Sequence, residues 1–115
     1  MTLEEFVRSD MQMLRKLAAR GVVEKSYLEE TADMRLLDLA QRAMREKLSL
    51  ARRKGRGGWW NQAECSIDHL KALLSDHVEK GDMRDVMNLA AMVYLREVAD
   101  EQPNTTMTTA PRAVD

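Results

Sequence analysis

The sequence predicts an all-α protein: a bundle of about four helices, one of them long, that assembles into an oligomer. Three observations carry that expectation. Apolar residues recur at three- and four-residue steps in four segments, helix-start and helix-stop residues stand at the ends of those segments, and no stretch alternates with the two-residue period of a strand.

The first element opens at Thr2, with Glu5 three residues on, a capping box that satisfies free amides at a helix start. Leu3, Phe6, Val7, Met11, Leu14, Leu17 and Ala18 then form one stripe, and Gly21 supplies the stop. Ser26 and Glu29 repeat the signature and open a second helix that runs to about Lys54. Its apolar face reads as Leu28, Ala32, Leu36, Leu39, Ala40, Ala43, Met44, Leu48 and Ala51. Such a helix is roughly 40 Å long, more than the width of a compact domain of this size, so part of it is expected to pack against another subunit. Leu37 and Leu50 lie off the main stripe and offer apolar surface for that contact.

Gly55, Gly57 and Gly58 break the second helix. Ser66 caps a third, with Ile67, Leu70, Leu74 and Val78 inward and Gly81 at its end. Asp82 caps a fourth, with Asp85 in the first turn, where the helix dipole favours negative charge. In this last helix Val86, Leu89, Ala90 and Val93 make one face, and Met87, Ala91, Tyr94 and Val98 make a neighbouring one, the pattern of a central helix. Residues 1–102 thus read as a single helical domain and 103–115, "PNTTMTTAPRAVD", as a disordered tail.

Eighteen basic side chains against nineteen acidic ones leave a net charge of −1, which removes any general attraction to nucleic acid or to an anionic membrane. Sequence-specific DNA binding is further disfavoured because no short recognition-helix pair stands out. The 44% of hydrophobic residues supports a core, yet 115 residues bury only a modest fraction of their surface, so self-association into a homo-oligomer is expected. One cysteine, Cys65, cannot form an internal disulfide, and no apolar run near the start suggests a secretory signal or a spanning helix. A cytoplasmic protein with no membrane partner is the expectation.

Two constellations carry candidate chemistry. In "RRKGRGGWWNQAECS", residues 52–66, a basic helix end meets glycines and two indoles, and Arg45 and Lys47 lie just upstream. Guanidinium forks at Arg52, Arg53 and Arg56, approachable glycine amides, and the faces of Trp59 and Trp60 are what recognition of a nucleotide-like anion requires. The same charges also complement the negative pole of a helix, and one tryptophan can simply seal a core. In "DHVEKGDMRDVMN", His77, Lys80, Asp82 and Asp85 crowd a helix-to-helix turn, where their polar atoms can meet a cation or the arginines of the basic loop, or serve as ordinary caps.

The enzymatic alternative is a magnesium-dependent all-α nucleotide pyrophosphohydrolase, which needs about four acidic residues on facing helices. Glu29, Glu30, Asp33, Asp82 and Asp85 form the available set, with Asp33 where glutamate is expected and the second group straddling a turn. Magnesium enters only under this reading, and no other cofactor is called for. Cys65, His69 and His77 lack the second cysteine and fourth ligand of a structural zinc site, and no phosphate-loop or dinucleotide glycine pattern is present.

Residues 44–97, through "GRGGW", the cysteine and "LLSDHVEKGDMRDVMNLAAM", resemble a group of small accessory proteins encoded in bacteriophage and prophage genomes. Those relatives usually carry proline in place of Met83 and one tryptophan in place of two, so the resemblance assigns no role to Trp60. It implies a phage accessory protein that counters a host defence or adjusts nucleotide pools, working in the host cytoplasm. The resemblance also keeps the basic loop and the acidic turn in one unit, and the expectation is that they meet in space. The functional expectation is therefore a binding protein that captures a nucleotide-like anion or masks a host protein. Its contact residues would be Arg52, Arg53, Arg56, Trp59 and Trp60, with His77, Lys80, Asp82 and Asp85 behind them.

Overall fold

The structure is a computed structural model and describes residues 1–21 and 23–100. Four helices follow in chain order, α1 (Leu3–Arg20), α2 (Lys25–Arg53), α3 (Ile67–Lys80) and α4 (Met83–Asp100), and no strand occurs among the described residues. The all-α class is as the sequence predicts. The helices fall into two compact units, Met1–Gly55 and Arg56–Asp115. Each unit is a helical hairpin, because a turn of a few residues makes sequence neighbours into packing partners. The predicted tail, 103–115, lies outside the described residues.

In the first unit α1 begins as its capping box dictates. The Thr2 amide donates to Glu5 Oε1 at 2.6 Å and the Glu5 amide donates to Thr2 Oγ1 at 3.2 Å. The Thr2 amide bond, and then the Thr2 hydroxyl, hold the Glu5 carboxyl below the usual carboxylate range. Gly21 ends the helix in the left-handed conformation at φ 67°. α2 starts two residues earlier than predicted. Ser26 is not its cap: the hydroxyl donates to Glu24 Oε1 at 2.9 Å, and Glu24 takes the cap position without a side-chain bond to the helix amides. Two cross-helix pairs set the register of the hairpin, Asp10 with Arg35 at 3.6 Å and the Arg42 guanidinium over the Phe6 ring at 5.2 Å. Leu39 and Ala43 are buried, whereas Leu36, read from the sequence as part of the same face, is exposed, since α1 covers only one narrow stripe of its partner.

The second unit has its helix ends where the sequence places them. Ser66 Oγ accepts from the His69 amide at 3.1 Å, Gly81 closes α3 at φ 85°, and Asp82 Oδ1 accepts from the amides of Arg84 and Asp85. Lys71 with Glu97 at 3.3 Å and His77 with Asp85 at 3.7 Å tie α3 to α4. Among the described residues of this unit the buried apolar side chains are Leu70, at 2% exposure, and Val93. Val78, predicted inward, is half exposed near the turn.

The largest correction concerns α4. Its buried positions include Asn88 and Arg96, while Met83, Tyr94, Leu95 and Val98 are exposed. One partner helix covers one face only, so the second apolar face, which suggested a central helix, stays uncovered within this unit. If Leu70 and Val93 hold the unit together, Leu70→Ala should cost about 2–4 kcal/mol in urea unfolding followed by tryptophan emission. Val78→Ala should change the same midpoint by no more than about 0.5 kcal/mol.

Candidate functional site

The loop between α2 and α3 is a built structure. Asn61 organises it. Its amide donates to the Gly58 carbonyl at 3.0 Å, its carbonyl accepts from the Cys65 amide at 2.8 Å, its Oδ1 accepts from the Ala63 amide at 3.0 Å, and its Nδ2 donates to Glu64 Oε2 at 3.1 Å. Gly58 sits at φ 78°, and a Cβ there would lie 2.7 Å from Glu64 Oε1 and 3.2 Å from Glu64 Cβ. Only glycine suits that position.

Arg96 of α4 fastens this loop to the helix pair. Its Nη1 donates to the carbonyls of Trp59 at 2.9 Å and Cys65 at 2.8 Å, and its Nη2 donates to Gln62 Oε1 and lies 3.6 Å from Asp100 Oδ2. Gln62 Oε1 also accepts from the Ile67 amide at 3.2 Å, so one amide oxygen joins the loop, the start of α3 and the guanidinium. A charge that is only 3% exposed is tolerable because its donors are matched by fixed acceptors.

The consequence is a sharp division between the two indoles. Trp59 is half-buried, its carbonyl held by Arg96, while Trp60 projects into solvent at 65% exposure. Arg56, at the entry to the loop, is also exposed.

The acidic turn lies at the other end of the same hairpin. Asp85 and Arg96 are eleven residues apart on α4, about 16 Å of helix. The residue that fastens the loop, Arg96, and the acidic turn are thus separated by about three turns of α4. At the turn His77 and Asp85 are paired, with His77 Nδ1 2.9 Å from the Leu73 carbonyl oxygen; Asp82 caps α4, and Lys80 is exposed in the last turn of α3. Each of these contacts orders a helix end.

Arg52 and Arg53 belong to the first unit. They are exposed in the last turn of α2, where Arg53 Nη2 reaches Ser49 Oγ at 3.4 Å, and with Arg45 and Leu50 they border a shallow, solvent-open depression along that helix. Of the acidic residues named for magnesium, Glu29, Glu30 and Asp33 stand on α2, whereas Asp82 and Asp85 stand in the other unit. Among the described residues no three His, Cys, Asp or Glu side chains gather closely enough to hold a metal ion.

Arg96 is the site residue that sequence reasoning missed. A signal for it exists: Val86, Leu89 and Val93 step along α4 at intervals of three and four, and the next position of that stripe is arginine. A charge at a core position calls for buried acceptors.

Replacing Arg96 with the similarly long but apolar Met removes the donors of two loop carbonyls. R96M should destabilise the unit by about 2–4 kcal/mol and shift tryptophan emission to longer wavelength as Trp59 loosens. Gly58→Ala should cost about 1–2 kcal/mol in the same assay, from the positive φ and the crowded Glu64 side chain.

Comparison of the chain with protein-family models, with curated proteins and with solved structures finds no match.

Proposed function

We propose that the chain is a non-enzymatic binding protein whose contact surface is the loop held by Arg96, with Trp60 as anchor and Arg56 as the cationic residue of the same loop. The observation that carries this reading is Trp60 itself: a large indole, two-thirds exposed, on a loop whose backbone is already fixed by hydrogen bonds. Exposing an indole to water is unfavourable, and fixing it in place beforehand lowers the entropy lost on association. Aromatic anchors flanked by arginine are the residues that carry most of the energy in protein interfaces.

The partner that fits best is a protein surface with an apolar notch and acidic surroundings. A nucleotide is usually gripped in a concave pocket, and the depression beside Arg52 and Arg53 is open along a single helix. This reading agrees with the accessory role implied by the resemblance to phage-encoded proteins, in which the chain masks a host protein in the host cytoplasm.

A photo-reactive aromatic residue installed at position 60 should crosslink one discrete host protein in cell extract, and Arg56→Ala should suppress the adduct. Purified protein should show no thermal shift with linear or cyclic nucleotides, with or without magnesium. A shift of several degrees with one nucleotide that Trp60→Ala abolishes would replace protein masking with ligand capture, and release of pyrophosphate from that nucleotide would make the chain an enzyme.

A further inference from the structure

α2 is much longer than its partner in the first hairpin, 29 residues against 18. The pairs Asp10 with Arg35 and Phe6 with Arg42 run antiparallel, so the start of α1 comes level with about residue 45 of α2. The last two turns of α2, about 12 Å, therefore stand beyond α1. That end carries Arg45, Lys47, Arg52, Arg53 and Lys54 against a single acid, Glu46. Lys47 is half-buried and engaged within the chain, whereas the other four cations are exposed. Among the described residues none of those four, and not Glu46 either, takes part in an ion pair.

The negative pole of the helix accounts for only part of this charge. Arg52, Arg53 and Lys54 lie in its last turn or at its end, but Arg45 is two turns back, where the pole no longer acts. Arg45, Ser49 and Arg52 are spaced by four and three residues, which puts them on one face of the helix, and Arg53 stands beside them. Arg53 Nη2 donates to Ser49 Oγ at 3.4 Å, so this guanidinium is laid along the face with its other N–H groups left for a ligand. Arg45, Ser49, Arg52 and Arg53 line a solvent-open depression of about 550 Å³, together with Glu46 and Leu50.

We propose that this end of α2 binds the phosphate backbone of nucleic acid, without regard to sequence, through Arg45, Arg52, Arg53 and Lys54. A row of guanidinium groups along about 12 Å of open helix suits successive phosphates of a strand, which lie across a surface and need no enclosing pocket. An anionic membrane would require apolar side chains to enter the bilayer surface, and in these two turns Leu50 is the one exposed apolar residue among those described. The net charge of −1 belongs to the whole chain and does not describe this local excess of cations. The surface is separate from the Trp60 loop, and either can fail without the other.

Fluorescence anisotropy of the full chain with two labelled 20-base-pair DNA duplexes of unrelated sequence tests this. Both should bind with equal affinity, and binding should weaken about a hundredfold between 50 and 200 mM salt, a slope of about −3 to −4 in log K against log salt. Combining Arg45→Gln, Arg52→Gln and Arg53→Gln should weaken binding at least about tenfold at 50 mM salt and bring the slope to about −1, with helical circular dichroism unchanged. The matching triple lysine variant should keep the parent slope, and Trp60→Ala should leave the affinity as it is. No binding at about 100 μM protein in 50 mM salt would overturn the proposal. So would a triple glutamine variant that binds like the parent, a clear preference for one duplex, or loss of binding in Trp60→Ala. Tighter binding to phosphatidylserine–phosphatidylcholine vesicles than to either duplex would overturn it in favour of a membrane surface.

Discussion

A single buried guanidinium orders the second unit. Arg96 occupies the place along α4 where the apolar stripe would call for another leucine or valine, and burying it there is costly unless its donors are met. The loop 56–66 meets them with two backbone carbonyls and the Gln62 amide oxygen. The dependence is mutual. The guanidinium needs the loop as acceptor, and the loop needs the guanidinium to hold a glycine-rich segment in one conformation. Asn61 and Gly58 then make the turns that this attachment demands, and α3 begins where Gln62 and Ser66 accept its first amides.

This arrangement explains why the hairpin has an inverted look. α4 places Arg96 and Asn88 on its buried side and Tyr94, Leu95 and Val98 on the exposed one. A helix hairpin has a single contact line, and here part of that line holds polar groups, among them the arginine that organises the loop, instead of apolar groups that would bury more area. Among the described residues the buried apolar set is small, Leu39, Ala43, Leu70 and Val93. The exposed apolar faces that remain on α2 and α4 are the kind of surface that association covers.

The two indoles take different roles for the same reason. Adjacent residues at the centre of the 58–61 turn point in different directions, and with the Trp59 carbonyl held by Arg96, Trp60 is the one exposed to solvent. The acidic turn works on separate terms. His77, Asp82 and Asp85 stabilise the ends of α3 and α4 about 16 Å along the helix from the loop attachment, and their crowding in the sequence reflects the needs of a tight helix-to-helix turn.

The sequence by itself determined the helices: the capping box at Thr2 and Glu5, the Ser66 and Asp82 caps, and the left-handed glycines at 21 and 81 all act through bonds spanning a few residues, so they are legible without a fold. It also determined that the glycine loop would break α2 and carry two indoles. Tertiary structure decided which of several apolar residues are covered. Leu36, Val78, Tyr94 and Val98 lie on plausible stripes, but burial depends on where the neighbouring helix sits. It likewise decided the distance between loop and turn, because the length of α4 holds them apart, and it decided the working role of Arg96, whose acceptors lie more than thirty residues earlier in the chain. Local hydrogen bonds are written in adjacent residues, whereas burial and long-range acceptors exist only once the helices have packed.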